Sequence, residues 1–318
     1  GGGVDKPGSA AVHVEGHSMG RGSWLTAHNC LVHGSQGNGL SVRGKSTASL
    51  NACDISTSRS HNISVEHGAS AHLDGCQCND SSKCGLAVFG PCSSATAHVT
   101  CFRGNNWSNV RVQKAGRVQL RSCGCLGALK NNGLSVFGRN SWARADACNF
   151  GLNREANVSA AEGGCVELDG CDCYEGMMSG LAVSGSGSCA KAHACSFSTN
   201  HRHNVQGRFG GCISLNNCKC EGSKTGGGLV VFKERNTTAT AIACACSICA
   251  NYQDNTHAQG GAKLELHGCE CKHSVVGWGV KAYGRGSRAT VDNSNTVAGN
   301  DSGSIYPRGF SLKHLLSC

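Results

Sequence analysis

A chain of 318 residues with 46 glycines, 3 prolines, 15% charged and 5% aromatic residues has too little proline and charge for a disordered polymer. It also has too few rings for one large globular core. The formal charge of +9 comes from dispersed lysines and arginines, which describes a solvated surface rather than a specific nucleic-acid site, because clustering is the signal for the latter. No run of 18 apolar residues occurs, so no membrane span is predicted.

Residues 1–10, GGGVDKPGSA, read as a linker or a truncated edge. From residue 11 to residue 300 the chain repeats. GLSV at 39, GLAV at 85, GLSV at 133, GLAV at 180, GLVV at 228 and GVKA at 279 alternate with NISV at 62, NVRV at 109, NVSA at 157, NVQG at 204 and, after Asn255, THAQ at 256. Interleaved, they mark coils of 23 to 24 residues, with one of 27 starting at Gly228. Glycine and asparagine best tolerate the left-handed backbone, so a positive-φ turn is predicted at each coil start. An apolar–polar alternation follows, as in Leu40-Ser41-Val42, and a second some eight residues later, as in Ala71-His72-Leu73. Short strands, tight turns and a fixed period predict an all-β solenoid of roughly twelve coils. Residues 301–318 leave the repeat, and their GFSLKHLLSC is expected to cover the last coil and shield an open sheet edge. The N-terminal edge shows no such cap and is the expected place for assembly with a partner or further chain.

The phrase G/N-Φ-x-V…L-x-x-C-x-Φ-x-x-N over about residues 11–300 resembles the right-handed parallel β-helix repeat family, the pectate-lyase-like superfold. The resemblance implies the handedness, which the period alone does not supply. It also implies company that includes polysaccharide lyases, glycoside hydrolases, epimerases and members with no known activity. It favours an extracellular or cell-surface setting, while reduced interior thiols are also compatible with an intracellular one.

Stacking the coils sorts most of the 24 cysteines into rows. One row reads Cys30, Cys53, Cys76, Thr100, Cys123, Cys148, Cys171, Cys195, Cys218, Cys244, Cys269, Ser294; the next reads Val32, Ile55, Cys78, Phe102, Cys125, Phe150, Cys173, Phe197, Cys220, Cys246, Cys271, Thr296. A small thiol between large apolar neighbours balances volume, and sulfur packs well on rings. Metal binding needs thiolates converging at about 2.3 Å on one ion, so buried free thiols are predicted, with no metal and no cofactor. Cysteine-based metal binding is the third functional reading. Disulfides between rungs are disfavoured, because in-register side chains about 4.8 Å apart stay parallel while a bridge wants Cβ atoms about 3.8 Å apart. Cys84, Cys92, Cys165, Cys189, Cys212, Cys249 and Cys318 fall elsewhere and are left open to pairing.

The outward position of the first strand carries Ser41, Ser64, Ala87, Arg111, Ser135, Ser159, Ala182, Gln206 and Val230. Acid–base work on sugars wants placed carboxylates, and none appears there. Arg111 with Lys114, and Glu66 with His67, remain as catalytic candidates. At the end of that strand Arg43, Phe89, Phe137, Phe232 and Tyr283 form a stripe, interrupted at Ser184, with Glu66, Gln113, Ala161, Arg208 and Gly260 near the same edge in the other coils. Rings two coils apart recur every ~9.6 Å, a spacing suited to an extended glycan or to a partner protein, unless they fold over the corner. The second strand's outward row (His28, Asn51, Asp74, His98, Arg121, Asp146, Asp169, His193, Asn216, Ile242, His267, Asp292) reads as a solvated face with opposite charges on neighbouring rungs. The chain is therefore expected to be a non-catalytic scaffold or binding module presenting a long surface to a glycan or protein within a larger protein or assembly. The alternative is a polysaccharide-acting lyase, hydrolase or epimerase.

Overall fold

A computed structural model describes residues 10–16, 22–234 and 237–306. Most of the expected linker, and the expected cap from residue 307 onward with Cys318, lie outside the described residues. The chain divides into two compact units, one ending at Arg154 and one beginning at Glu155. The described residues form strands and turns, with no helix long and apolar enough to cross a membrane.

Each unit is a parallel β-solenoid of about six coils, and each full coil contributes one strand to each of three sheets. In the first unit the first sheet stacks Val12–Glu15, Leu40–Arg43, Ile63–Glu66, Leu86–Phe89, Val110–Gln113 and Leu134–Phe137 in that order. The second sheet runs from Trp24–His28 to Trp142–Asp146, and short three-residue strands make the third side. In the second unit the first sheet stacks Val158–Ala161, Ser179–Ser184, His203–Arg208, Leu229–Phe232, Thr256–Gln259, Trp278–Tyr283 and Gly303–Tyr306. That last strand pairs in parallel with Trp278–Tyr283, so the repeat continues past residue 300.

Alternation sets the inside. Leu86, Val88, Val110 and Val112 are wholly buried in one unit, and Leu181, Val183, Leu229 and Val231 in the other. Each such side chain contributes about 1.5–3 kcal/mol over an exposed one. The second cysteine row behaves as volume balance predicts: Ile55, Cys78, Phe102, Cys125 and Phe150 are buried, as are Cys173, Phe197 and Cys220. The first row is interior too, except at its start, where Cys30 is exposed rather than buried. Cys53, Cys76, Cys123 and Cys148, and in the second unit Cys171, Cys195, Cys218 and Cys269, are buried free thiols. Their sulfurs bond to backbone carbonyls two residues back, as Cys76 Sγ does to Asp74 at 3.4 Å. Burial pushes the Cys78 and Cys220 thiols well above their ordinary value, and Cys84 up to about 11.

Four expectations change. The coil from Gly228 carries its extra residues before its second strand, Thr240–Cys244, so Cys244 stands opposite Asn216 and His267 in the outward row. Cys246 takes the thiol row, where its sulfur accepts the Cys218 amide, and the buried Ile248 takes the second row. In the last coil Val297, not Thr296, pairs with Cys271, and Asn295 bonds the Cys269 amide in place of Ser294.

Second, the Gly/Asn coil start is not a positive-φ turn. One positive-φ residue per coil lies instead at the bend before the thiol row: Ala52, Gly75, Val99, Ser122 and Ala147 in the first unit. At the coil start glycine makes room. A Cβ on Gly85 would lie 2.7 Å from the Cys78 carbonyl oxygen and 2.8 Å from Asn105 Nδ2. The buried asparagine amides pass through that space. Asn105 Nδ2 donates to the Cys78 carbonyl at 3.0 Å and to Asn109 Oδ1 at 2.8 Å, and Asn109 Nδ2 donates to Asn153 Oδ1 at 3.2 Å. The second unit repeats this through Asn157, Asn200, Asn204, Asn251, Asn255 and Asn300.

Third, one pair of rungs is bridged. Cys165 and Cys189 head in-register strands with Cα atoms 4.6 Å apart and form a disulfide. The expectation of parallel side chains fails here because both are only half-buried at strand starts, where core packing does not hold the rotamer. Cys212, next in register, is free and exposed. Fourth, at the ring stripe the register places Gln259, not Gly260, between Phe232 and Tyr283.

Candidate functional site

The outer face of the first sheet carries the same construction twice. In the first unit His61, just before a coil start, turns its Nδ1 to accept the Cys84 amide at 3.2 Å. Phe89 folds back from the strand end and meets the His61 ring edge-on at 5.7 Å. In the second unit His203 Nδ1 accepts the Gly227 amide at 3.0 Å, and Phe232 lies 6.0 Å from that ring. Burial, reinforced by Lys83 at one and Arg208 at the other, lowers both histidines to about 4. Both rings are therefore neutral near pH 7, and because Nδ1 accepts, Nε2 carries the proton.

What surrounds the two platforms differs. In the first unit the next coil supplies Arg111, whose guanidinium lies 5.7 Å from the Trp107 ring centre, and Lys83 Nζ approaches the same ring at 5.7 Å. Arg111 Nε is buried with no partner among the described residues. Around the corner a groove of about 640 Å³ is lined by Lys45, Glu66, His67, Phe89, Cys92 and Lys114. Its carboxylate is engaged: Arg43 Nη2 lies 3.2 Å from Glu66 Oε2, and Ser64 donates to Oε1 at 2.6 Å. Glu15, on the same edge, bonds His13 at 2.9 Å.

In the second unit the next coil supplies His257. Its Nδ1 lies 3.0 Å from Asp254 Oδ2, and Lys281 Nζ lies 3.4 Å from the same oxygen. Asp254 Oδ1 accepts the Trp278 amide at 2.8 Å. Burial alone would raise the Asp254 carboxyl, but His257, the Trp278 amide and Lys281 outweigh it and hold the group below its ordinary value. Phe232 lies 6.1 Å from the His257 ring, with the Arg208 guanidinium 4.9 Å from its centre. A cleft of about 200 Å³ is bounded by His203, Phe232, Gln253, Asp254, His257 and Gln259.

Of the residues singled out from sequence, Glu66 and His67 approach to 3.8 Å and share the groove with Lys114. Arg111 is drawn instead to Trp107. The ring stripe divides: Phe89 and Phe232 fold onto histidines, while Phe137 and Tyr283 stay 41% and 53% exposed. The second sheet's outward row pairs across rungs, with Asp74–His98, Asp169–His193 and His267–Asp292 at 2.9–3.0 Å. Among the described residues no three His, Cys, Asp or Glu side chains come together as metal ligands. Sequence reasoning missed His61, Lys83, Trp107 and the Asp254–His257–Lys281 group. The signal for the last was phase: His257 and Lys281 continue the outward series that was read only as far as Val230.

Residues 4–150 match the family model described as a right-handed β-helix region. No curated protein matches in sequence. Among solved structures, the A-module of the mannuronan C-5 epimerase AlgE4 of Azotobacter vinelandii superposes with a TM-score of 0.54 at 12% identity, over 81% of this chain and 88% of that one. Pectate lyase Pel9A (TM-score 0.40, 9% identity, 82% and 69% covered) and the catalytic domain of a GH87 α-1,3-glucanase (0.43, 10%, 91% and 64%) also match. At these identities the likeness is one of fold.

Proposed function

We propose that this chain, whose residues 4–150 match the right-handed β-helix family model, is a non-catalytic binding module whose first unit takes an anionic glycan on the outer face of the first sheet. The observation that carries this reading is the convergence of Lys83 and Arg111 on Trp107 beside the Phe89–His61 pair. Aromatic faces suit sugar rings, and guanidinium forks suit carboxylate or sulfate groups. Lys45 and Lys114 extend the positive lining along the groove, where the Glu66 carboxylate is already paired. The exposed Phe137 continues the stripe two rungs from Phe89.

The test is a glycan array of uronate-containing, sulfated and neutral polysaccharides, run beside a turnover assay on the same polymers. Binding should favour the anionic polymers, weaken with salt and occur without turnover. Arg111→Ala and Phe137→Ala should each weaken it, Arg111→Ala by about tenfold, as expected for losing ~1.4 kcal/mol. Turnover that disappears in Arg111→Ala would sink the reading in favour of an enzyme.

A further inference from the structure

We infer that the cleft between His203, Phe232 and His257 is a binding subsite for one neutral sugar ring, held through two neighbouring hydroxyls. The inference concerns the second unit alone and does not rest on the anionic-glycan reading of the first.

The two imidazoles are set to opposite hydrogen-bonding roles by their own partners. The Gly227 amide donates to His203 Nδ1, so the His203 proton sits on Nε2, which is a donor. His257 has the reverse arrangement. Its Nδ1 faces the Asp254 carboxylate at 3.0 Å and therefore donates, so in the singly protonated ring Nε2 is the acceptor. Asp254 is itself fixed by the Trp278 amide and Lys281, so the roles do not interchange. His257 Nε2 is buried and has no partner among the described residues, an arrangement that costs folding free energy unless a ligand group reaches it.

Between donor and acceptor stands an aromatic face, with Phe232 6.0 Å from one ring and 6.1 Å from the other. A donor, an acceptor and a ring between them match a diol on a sugar whose apolar face stacks on phenylalanine. A free carboxylate ligand would meet an acceptor nitrogen at His257 Nε2, where a hydroxyl can donate and a carboxylate cannot. Because Nε2 is covered, a ligand hydroxyl reaches it only when the side chains over it move aside.

The probe is a set of methyl glycosides of neutral hexoses, with cyclohexanol as a ring carrying one hydroxyl. Each is titrated into the full chain carrying labelled histidine, and the imidazole resonances are followed. The glycosides should shift the His203 and His257 ring signals in a saturable way. Phe232→Ala should weaken this at least tenfold, and Arg111→Gln should leave it unchanged. Absence of any shift at both rings would overturn the inference. So would equal shifts with cyclohexanol, or turnover of a glycoside that is lost in His257→Gln. Should His257→Gln fail to fold, the titration of the unaltered chain still decides the question.

Discussion

The His61–Phe89 and His203–Phe232 pairs occupy equivalent places in the repeat, and they share everything the backbone dictates. In both, the imidazole accepts the amide that precedes a glycine coil start, and the phenylalanine four residues beyond that glycine folds against it. They differ in what neighbouring coils present. Arg111 in one unit stands where His257 stands in the other, Trp107 where Gln253 stands, Ser108 where Asp254 stands, and Lys83 where Gly226 stands. The frame sets where a platform sits, and four substituents decide what it meets: cations on an indole in one case, a carboxylate-backed imidazole in the other.

The largest test of that contrast is Asp254→Ala. It strips the shared partner from His257 and Lys281 in a largely buried place and should cost about 3 kcal/mol, read as a lower urea midpoint. Ser108→Ala, at the equivalent position, should cost about 1 kcal/mol. Equal losses would mean that the two surroundings are not energetically distinct.

Acid should act on what the platforms have in common. Both folded histidines sit near 4 against an ordinary 6.5. Between these values the unfolded chain binds more protons, so stability falls as pH drops from about 6.5 to about 4 and falls no further from this cause below that. The shift corresponds to roughly 3 kcal/mol for the buried His61. His61→Gln and His203→Gln should each blunt the acid loss, measured as urea midpoints at pH 7 and pH 4.5. A protein as stable at the lower pH would show that these rings charge freely, and the shared frame would fail.

The smallest effect is expected from transplanting the display. Arg111→His gives the first platform the second one's ring without its carboxylate. Stability should change by about 1 kcal/mol or less, while salt-sensitive binding of anionic polymers should drop. Unchanged binding would place the anion contacts elsewhere on the groove.

Much of the fold was legible because its signals are local and repeat. Strand phases and both thiol rows through Cys220 follow from period and alternation. The slip at Cys244 came from an insertion: a 27-residue spacing does not say where in the coil the extra residues sit, and cysteine at both 244 and 246 suits either register. The glycine coil starts misled because glycine serves two purposes, positive φ and absence of a Cβ, and sequence does not separate them. Only the positions of Asn105 and the Cys78 carbonyl show that the second applies at Gly85. The site was less legible still. Whether Phe89 stands off the corner or folds over the sheet is a choice of rotamer, and the neutral histidines depend on amides contributed by a neighbouring coil.

The asparagine amides also bear on how such a chain grows. Asn62 reaches Asn105, Asn109 reaches Asn153, Asn157 reaches Asn200 and Asn204 reaches Asn251, each spanning 43 to 47 residues and skipping the glycine coil start between. Losing or copying a single coil would set asparagine against asparagine, or glycine against glycine, leaving one junction crowded or an amide stranded. A pair of coils is the smallest segment that can be duplicated or deleted with every buried amide still matched. Lineages of this repeat should therefore differ in length by steps of two coils.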